Sequence, residues 1–585
     1  MPDNQKSVSS EKKQTEIVVK ATKRRKPAQK KQIKTLKNAS PLKIIPLGGL
    51  NEIGKNLTVF QTDNDIFLVD CGIAFPDYET PGVDVIIPDF TYLERNADKI
   101  KGIVITHGHE DHIGGIPFFL KKINVPVYGS ALTLGLLEHK LKENNILSST
   151  KLHQVKAGDI KSFGSMSVEF INVNHSIPES LGLAITTPAG IVVHTGDFKI
   201  DYTPINSDII DLKRFGELGN KGVLALMSDS TNAERGGFTA SERTVGDSFE
   251  RLFHKAEGKR IIVATFASNV HRIQQIINCA EKNKRKVALF GRSMLNTFET
   301  ATRLKCLKCP KNTMIETKDM AKYPDEKIVL ITTGSQGEPL SALTRMASND
   351  HRQVRITCHD YVILSANPIP GNEKHVTRVI NDLMKSGADV VYEGMYEVHV
   401  SGHACQEELK LMLALTRPKF FIPVHGEYKH LTKHAKIANV MGIPEENIVV
   451  PALGNVIETD GDTIKVVSQV VSGSVYVDGN DVGGVGSIVL RDRKQLSQDG
   501  VIVVVVNYRD RALRGVELIS RGFVYVRENE ELMDNAKVAI IHSLNMLKDC
   551  HEWGVIKKKV SDALSEFVFQ TTKRSPIILP VVIES

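Results

Sequence analysis

Between residues 102 and 197 three apolar, β-branched runs each stop on metal-capable side chains, and this recurrence constrains the fold more than any other feature. Gly102-Ile103-Val104-Ile105-Thr106 leads into His107-Gly108-His109-Glu110-Asp111-His112. The run 168–173 leads into Asn174-His175, and Ile191-Val192-Val193 into His194-Thr195-Gly196-Asp197. Runs of this kind read as buried strands. Sites in α/β proteins gather where strands end, and independent strand ends must converge to build one site. In an extended segment His107 and His109 project to the same side, while Asp111 and His112 lie beyond the turn. Three imidazoles and two carboxylates within six residues point to metal ligation rather than to a solvated loop.

A chain of 585 residues exceeds what one core usually supports, so two or three domains are expected. Strand-like runs at 42–46, 57–61 and 66–72 open the folded region, the first two joined by the glycine-rich loop 48–56. Strands and helices alternate to about residue 230. From 236 to 395 a second α/β pattern takes over, with runs at 261–265, 287–290, 328–332 and 362–364. Three of these precede small polar motifs that contain Ser268 and Asn269, Arg292, and Ser335. Strand-like segments resume at 398–400 and 420–424. A third unit reads strand 501–507, strand 522–527, helix 530–548, helix 556–569 and strand 577–583, and there is no internal repeat. The expected bounds are a basic arm 1–40, a first domain 41–235, an inserted domain 236–395, a return segment with linker 396–495, and a small α+β domain 496–585.

Net charge is +7, but residues 1–40 hold twelve Lys/Arg against Asp3, Glu11 and Glu16, a balance of +9 that leaves the rest near −2 (7 − 9). The arm lacks a core pattern and reads as disordered. Such a segment can hold phosphate backbones without reading sequence, or merely solubilise the chain. Its three acids weigh against a mitochondrial presequence. Seven scattered cysteines form no disulfide framework and suit a reducing cytoplasm; Cys306-Leu-Lys-Cys309 has no second pair to complete a zinc site. No apolar run approaches the roughly 20 residues of a membrane span.

The residue types allow two metal positions. His107, His109 and His175 can hold one ion; Asp111, His112 and a further histidine, His425 in Pro423-Val424-His425-Gly426-Glu427, can hold another. Asp197 can bridge them, because a carboxylate offers two oxygens. Two ions about 3.5–4 Å apart can activate water at neutral pH and stabilise both oxygens of a phosphodiester displacement. Asp111 is thereby expected to be catalytic as well as a ligand, and Asp70 to orient a ligating imidazole by hydrogen bond.

Motif by motif the chain resembles the β-CASP nucleases of the metallo-β-lactamase superfamily, and among them the bacterial ribonuclease J family. Asp70 matches the first superfamily motif, His107–His112 the second, His175 the third and Asp197 the fourth. Asp229, in Ser228-Asp229-Ser230-Thr231-Asn232, matches motif A; His403, in His399-Val400-Ser401-Gly402-His403-Ala404, motif B; and His425 motif C. The likeness spans 42 to about 495, and the last 85 residues by layout. Asn51 stands where the family usually has glycine, and the arm has no counterpart.

The resemblance implies a metallo-β-lactamase αββα sandwich with an inserted β-CASP α/β domain and a small α+β C-terminal domain. It implies an RNA phosphodiester hydrolase that works from the 5′ end and also internally, in rRNA maturation and mRNA decay. Its cofactors would be two divalent ions per subunit, zinc before manganese or magnesium. His403, held by Asp229, is expected to donate a proton to the leaving 3′-oxygen. His399, Val400, Ser401, Gly402 and His403 would bind the substrate. Ser268 and Asn269, and with less support Arg292 and Ser335, would touch the RNA backbone or else serve as capping and turn residues. Partners would be single-stranded, 5′-monophosphorylated RNA, a second copy or a dimer of dimers, and an RNA-degradation complex, with no membrane. The alternatives are a DNA nuclease, a small-ester or thioester hydrolase of the wider superfamily, and an RNA-binding scaffold with a decayed site. The insertion 236–395 argues against small esters, since it would roof the site. The seven intact ligand positions argue against decay, and a 2′-hydroxyl contact would separate RNA from DNA.

Overall fold

A computed structural model describes residues 40–584, apart from 78, 339, 370, 480, 510–511, 525–528 and 548–551. The basic arm 1–40 therefore lies, except for Ser40, outside the described residues. Two sheets face each other. One has eight strands in the order Ile464–Gln469, Asn455–Thr459, Leu42–Gly48, Leu57–Gln61, Ile66–Val69, Ile100–Val104, Val127–Gly129 and Leu152–Gln154. The other has six, in the order Phe420–Val424, Ala225–Asp229, Gly190–His194, Leu181–Thr187, Met166–Asn172 and Ile160–Phe163. Between them Phe60, Phe67, Val104, Phe170, Leu183, Met227 and Ile422 form one core, with Phe67 stacked on Phe60 at 5.2 Å and on Phe163 at 5.1 Å.

The outer faces are covered by helices. Ile116–Lys122 and Ala131–Glu143 bury Phe119, Leu120, Leu137 and Leu141 against the first sheet. Leu212–Lys221, Gln406–Thr416 and Tyr428–Val440 bury Phe215, Met412 and Ile437 against the second. Each such side chain removed from water contributes roughly 1.5–3 kcal/mol before the entropy of ordering is charged. The result is the expected αββα sandwich.

The insertion carries its own all-parallel sheet, in the order Lys286–Phe290, Ile328–Thr332, Arg260–Ala264, Asp360–Leu364 and Asp389–Val391. The chain then returns to the sandwich. Phe420–Val424 lies parallel to Ala225–Asp229 with Asp229 opposite Val424, so residues almost 200 positions apart become neighbours. That register sets His425 beside Asp229.

Two expectations about elements are corrected. Residues 398–400 form no strand: the Val398 carbonyl accepts from the Arg272 guanidinium and the Ser365 hydroxyl, at 3.1 and 2.6 Å, instead of joining a ladder. In the C-terminal unit Val501–Arg509 pairs antiparallel with Ala512–Arg521 and parallel with Ile577–Glu584; of the strand expected at 522–527, residues 522–524 form none and 525–527 lie outside the described residues. In Ala512–Arg521 the charged Arg514, Glu517 and Arg521, at spacings of three and four, interrupt the apolar residues and hide the strand among more apolar neighbours. The helices there are Glu530–Asn545 and Trp553–Thr572. Asn51 has φ 61°, a left-handed turn that asparagine tolerates better than most residues. Among the described residues no helix is long and apolar enough to cross a membrane.

Candidate metal centre and active site

Two sets of ligand atoms meet at the strand ends. His107 Nε2 lies 3.0 Å from His109 Nδ1, which lies 3.2 Å from His175 Nε2. Asp197 Oδ2 closes this set, 3.7 Å from His107 Nε2 and 3.9 Å from His175 Nε2. In the second set His112 Nε2 is 3.5 Å from Asp111 Oδ2 and 3.3 Å from the same Asp197 Oδ2, and His425 Nε2 is 3.5 Å from Asp111 Oδ2. Nitrogen and oxygen ligands about 2.0–2.1 Å from one ion stand roughly 3.3 Å apart in a tetrahedron. The measured edges bracket that value, with Asp197 common to both sets. Glu110, though inside the histidine motif, belongs to neither; it pairs with Lys140 at 2.6 Å.

Hydrogen bonds fix which nitrogen each imidazole presents. Asp70 Oδ2 accepts from His112 Nδ1 and from the Thr106 hydroxyl, both at 2.8 Å, while Oδ1 accepts the Thr106 N–H at 2.8 Å. The Thr106 hydroxyl lies 3.1 Å from His107 Nδ1, and the Gly402 carbonyl accepts from His175 Nδ1 at 2.8 Å. In each case Nε2 is left for an ion. Asn56 donates to the Asp111 carbonyl at 3.1 Å and stands 3.4 Å from its carboxylate. Close packing completes the hold, since a Cβ on Gly72 would lie 1.7 Å from the Asp111 carbonyl oxygen.

The electrostatics ask for cations. Asp70, Asp197 and Asp229 are buried together, with Asp111 beside them. Burial keeps His107 and His175 well below their ordinary pKa and brings His109 to about 4, so all three offer neutral lone pairs. Burial also opposes charge on His425, but Asp197 and Asp111 outweigh it and hold its pKa at about 10. His112 is raised in the same way, by Asp197, Asp111 and Asp70 against burial. Without ions, protons on these two rings balance the carboxylates. The buried Nε2 of His425 has no hydrogen-bond partner, as suits a ligand atom. The residues fit two divalent ions that share Asp197.

Beside the second set lies a different arrangement. His403 Nδ1 is 2.8 Å from Asp229 Oδ2. The other Asp229 oxygen accepts from the N–H and hydroxyl of Thr231, at 3.0 and 2.8 Å, and the Asp229 N–H donates to the Thr195 hydroxyl at 3.1 Å. Burial alone would lower the pKa of His403, yet Asp229 raises it and favours the protonated ring, with Nε2 directed away from its partner. The loop that bears it is held from several sides. Asn232 donates to the Ser401 hydroxyl and to the His403 carbonyl, at 2.8 and 2.9 Å. Glu408, fully buried, accepts the N–H groups of Ile200, Thr239 and Cys405, each at 2.7 Å.

The remaining expected residues are more dispersed. Val400 is nearly buried, and burial followed by the charges of Arg272, Arg235 and Lys199 takes His399 to a pKa of about 3. Asn269 is buried and caps the helix Val270–Lys282 by accepting from Arg272 N–H at 3.0 Å. Ser268, next to it, is half-buried; Ser335 is buried; Arg292 is exposed in the first turn of Arg292–Arg303. Sequence reasoning passed over Asn56, Thr106, Asn232, Arg272 and Glu408. Asn56, Thr106 and Asn232, lying in or beside motifs already singled out, carried a signal; Arg272 and Glu408 did not.

Comparison with known proteins agrees with this architecture. The family model described as the metallo-beta-lactamase superfamily matches residues 51–243, and the ribonuclease J beta-CASP domain matches 258–383. The Zn-dependent metallo-hydrolase RNA specificity domain matches 387–451, and the ribonuclease J C-terminal domain 488–585. Ribonuclease J2 of Bacillus subtilis is 42% identical over 94% of this chain and 99% of its own length. Ribonuclease J of Synechocystis is 45% identical over 92% and 86%, and ribonuclease J 1 of Streptococcus pyogenes 42% over 92% and 97%. A solved Enterococcus faecalis protein of unknown function shares the fold, with TM-score 0.52 and 16% identity over 72% of this chain and all of its own. Fold and site define a metal-dependent hydrolase of the metallo-β-lactamase superfamily that carries a β-CASP domain. Within that class the chain belongs to the ribonuclease J family.

Proposed function

We propose that the protein is a ribonuclease that hydrolyses RNA phosphodiester bonds with two metal ions, removing nucleotides from the 5′ end and also cutting internally, in rRNA maturation and mRNA decay. The observation that carries this reading is the pair of ligand sets sharing Asp197 Oδ2, with the His403–Asp229 pair alongside. His107, His109 and His175 would hold one ion, and Asp111, His112 and His425 the other. Divalent ions bound there supply Lewis acidity toward phosphate oxygens and a water of lowered pKa. Asp70, Thr106 and Gly402 keep the ligand imidazoles in their metal-accepting tautomers. His403, protonated through Asp229, delivers its Nε2 proton to the leaving 3′-oxygen. The loop 399–403 positions the phosphate, with Ser268 further along the RNA on the turn that the buried cap Asn269 holds.

Zinc suits the nitrogen-rich ligand sets, and the family model over 387–451 is described as Zn-dependent. Manganese or magnesium loading would appear as activity with those ions and not with zinc. The domain bounds 41–235, 236–395, 396–495 and 496–585 belong to the same reading, which is supported by the inserted parallel sheet drawing all its strands from within 236–395. A homodimer or dimer of dimers is supported by the C-terminal sheet, where Ile519, Leu579, Val581 and Ile583 are exposed. A cytoplasmic location, and membership of an RNA-degradation complex, belong to the same reading. It is tested by incubating metal-loaded protein with 5′-monophosphate RNA, 5′-triphosphate RNA and matched DNA, and mapping products. Mononucleotides released first from 5′-monophosphate RNA, with internal cuts in the triphosphate form, are expected. Equal cleavage of DNA would replace the ribonuclease reading with that of a general nuclease.

A further inference from the structure

Exposed aromatic side chains are unevenly placed in this molecule. Among the described residues seven Phe, Tyr and Trp side chains are largely exposed, and two of these, Trp553 and Phe569, belong to the C-terminal unit. The other five come soon after the strand ends described above. Phe75 follows Asp70, Tyr202 follows Asp197, Phe238 follows Asp229 and Tyr428 follows His425. Tyr392 comes directly after the strand Asp389–Val391, on the run toward His403. Single exposed apolar residues need no explanation, but one whose backbone is bonded to the segment of the proton donor does.

Phe238 is the best placed of the five. Its ring is 61% exposed, and Gly236 and Gly237 before it leave open space. Its backbone, by contrast, is pinned on both sides. The Gly237 carbonyl accepts from Glu407 N–H at 3.1 Å, and Thr239 N–H donates to the buried Glu408 carboxylate at 2.7 Å. The Thr239 hydroxyl donates to the His403 carbonyl at 2.6 Å. The phenyl ring is thus presented to solvent by a turn bonded into the segment that carries the proton donor. Arg235, exposed three residues earlier, adds a positive charge to the same turn.

We propose that Phe238 is a stacking platform for the base of the nucleotide on the leaving-group side of the scissile phosphate. This rests on the reading of the site as an RNA hydrolase in which His403 protonates the leaving 3′-oxygen. The nucleotide that bears that oxygen then lies against the His403 segment, where Phe238 is the exposed aromatic. Every base has a π-face, so such a platform grips single strands with little regard for sequence. In exonucleolytic cleavage the stacked base is that of the 5′-terminal nucleotide.

The test crosses one protein change with one RNA change. The full-length, metal-loaded protein and its Phe238→Ala variant are assayed on 5′-monophosphate RNA with either an intact or an abasic 5′-terminal nucleotide. Removing the base is expected to lower kcat/KM of the unsubstituted protein about tenfold, and Phe238→Ala to do the same on intact RNA. The two losses should not add: the variant should treat both RNAs alike, melt at the unsubstituted temperature, and recover with Phe238→Trp. A variant that still loses about tenfold on the abasic RNA would overturn the platform. If the unsubstituted protein cuts neither RNA, it is the hydrolase reading that fails. Binding of the same two RNAs to both metal-free proteins, followed by fluorescence anisotropy, then decides the stacking: the same non-additive pattern supports it, and equal discrimination or no binding sinks it.

Discussion

Adding one methyl group at Gly402 should disable one metal position and spare the other. The Gly402 carbonyl accepts from His175 Nδ1 at 2.8 Å, and a Cβ at 402 would stand 2.6 Å from His175 Cε1 and 2.7 Å from Nδ1. An ordinary carbon contact needs about 3.4 Å or more, so roughly 0.8 Å must be found. Gly402 does not have a positive φ, so backbone strain is not part of the cost. His175 cannot retreat, because its ring is buried with Nε2 3.2 Å from His109. The loop must lift or the imidazole must tilt, and either change weakens the bond that orients the ligand. Losing such an orienting bond typically costs about 10–100-fold in metal affinity, or roughly 1.4–2.7 kcal/mol. A displacement approaching 1 Å costs about a hundredfold in rate. Gly402→Ala should therefore lose one ion under graded chelator, measured by elemental analysis, while the Asp111–His112–His425 position stays filled. RNA cleavage should fall at least tenfold with the melting temperature nearly unchanged. Two ions held at unsubstituted affinity, with unsubstituted turnover, would refute the claim that this carbonyl sets His175.

His403→Ala should cut turnover about a hundredfold with metal content unaltered, and Asp229→Asn should lower the pH at which the basic limb of the rate profile falls; loss of metal from His403→Ala would make it a ligand instead. In metal-free protein the pKa of His425, held at about 10 by Asp197 and Asp111 against burial, implies a defined pH dependence. Its contribution to stability is fully present below the unfolded value of about 6.5 and is lost as pH rises through about 10. Chelated protein should melt lower at pH 10 than at pH 7, with a smaller gap once ions replace the protons. Deleting residues 1–40 should weaken RNA binding and flatten its salt dependence by about 0.7 log unit per lost single-strand phosphate contact; an unchanged slope would make the arm a bystander. A chain ending at residue 495 should sediment as a monomer, and a persistent dimer would place the interface elsewhere.

The strands that carry the site were legible because each contains a short, apolar and buried run just before the site residues. Ile100–Val104 and Gly190–His194 lie within a few residues of the expected runs. Half-solvated Ala512–Arg521 was not legible, because its charged residues interrupt the apolar signal. The run 398–400 misled for the opposite reason. It is apolar enough for a strand, yet its carbonyl is claimed by Arg272 and Ser365. Asn269 reads in one dimension as either an RNA contact or a cap, and in three it is a buried helix cap.

The sequence by itself determined which residue types stand at the strand ends and in what order, since both follow from local hydrophobic pattern and motif spacing. Only the tertiary structure decided which of their ligand atoms come together. Asp197 Oδ2 serves both ligand sets, Glu110 turns away to Lys140, and Gly402 reaches back 227 residues to hold His175. Hydrophobic pattern reports how each segment is buried but not which segment lies beside it. The pairing of Asp229 with Val424 depends on sheet register and on the closure of a whole inserted domain, and it brings His425 to the centre.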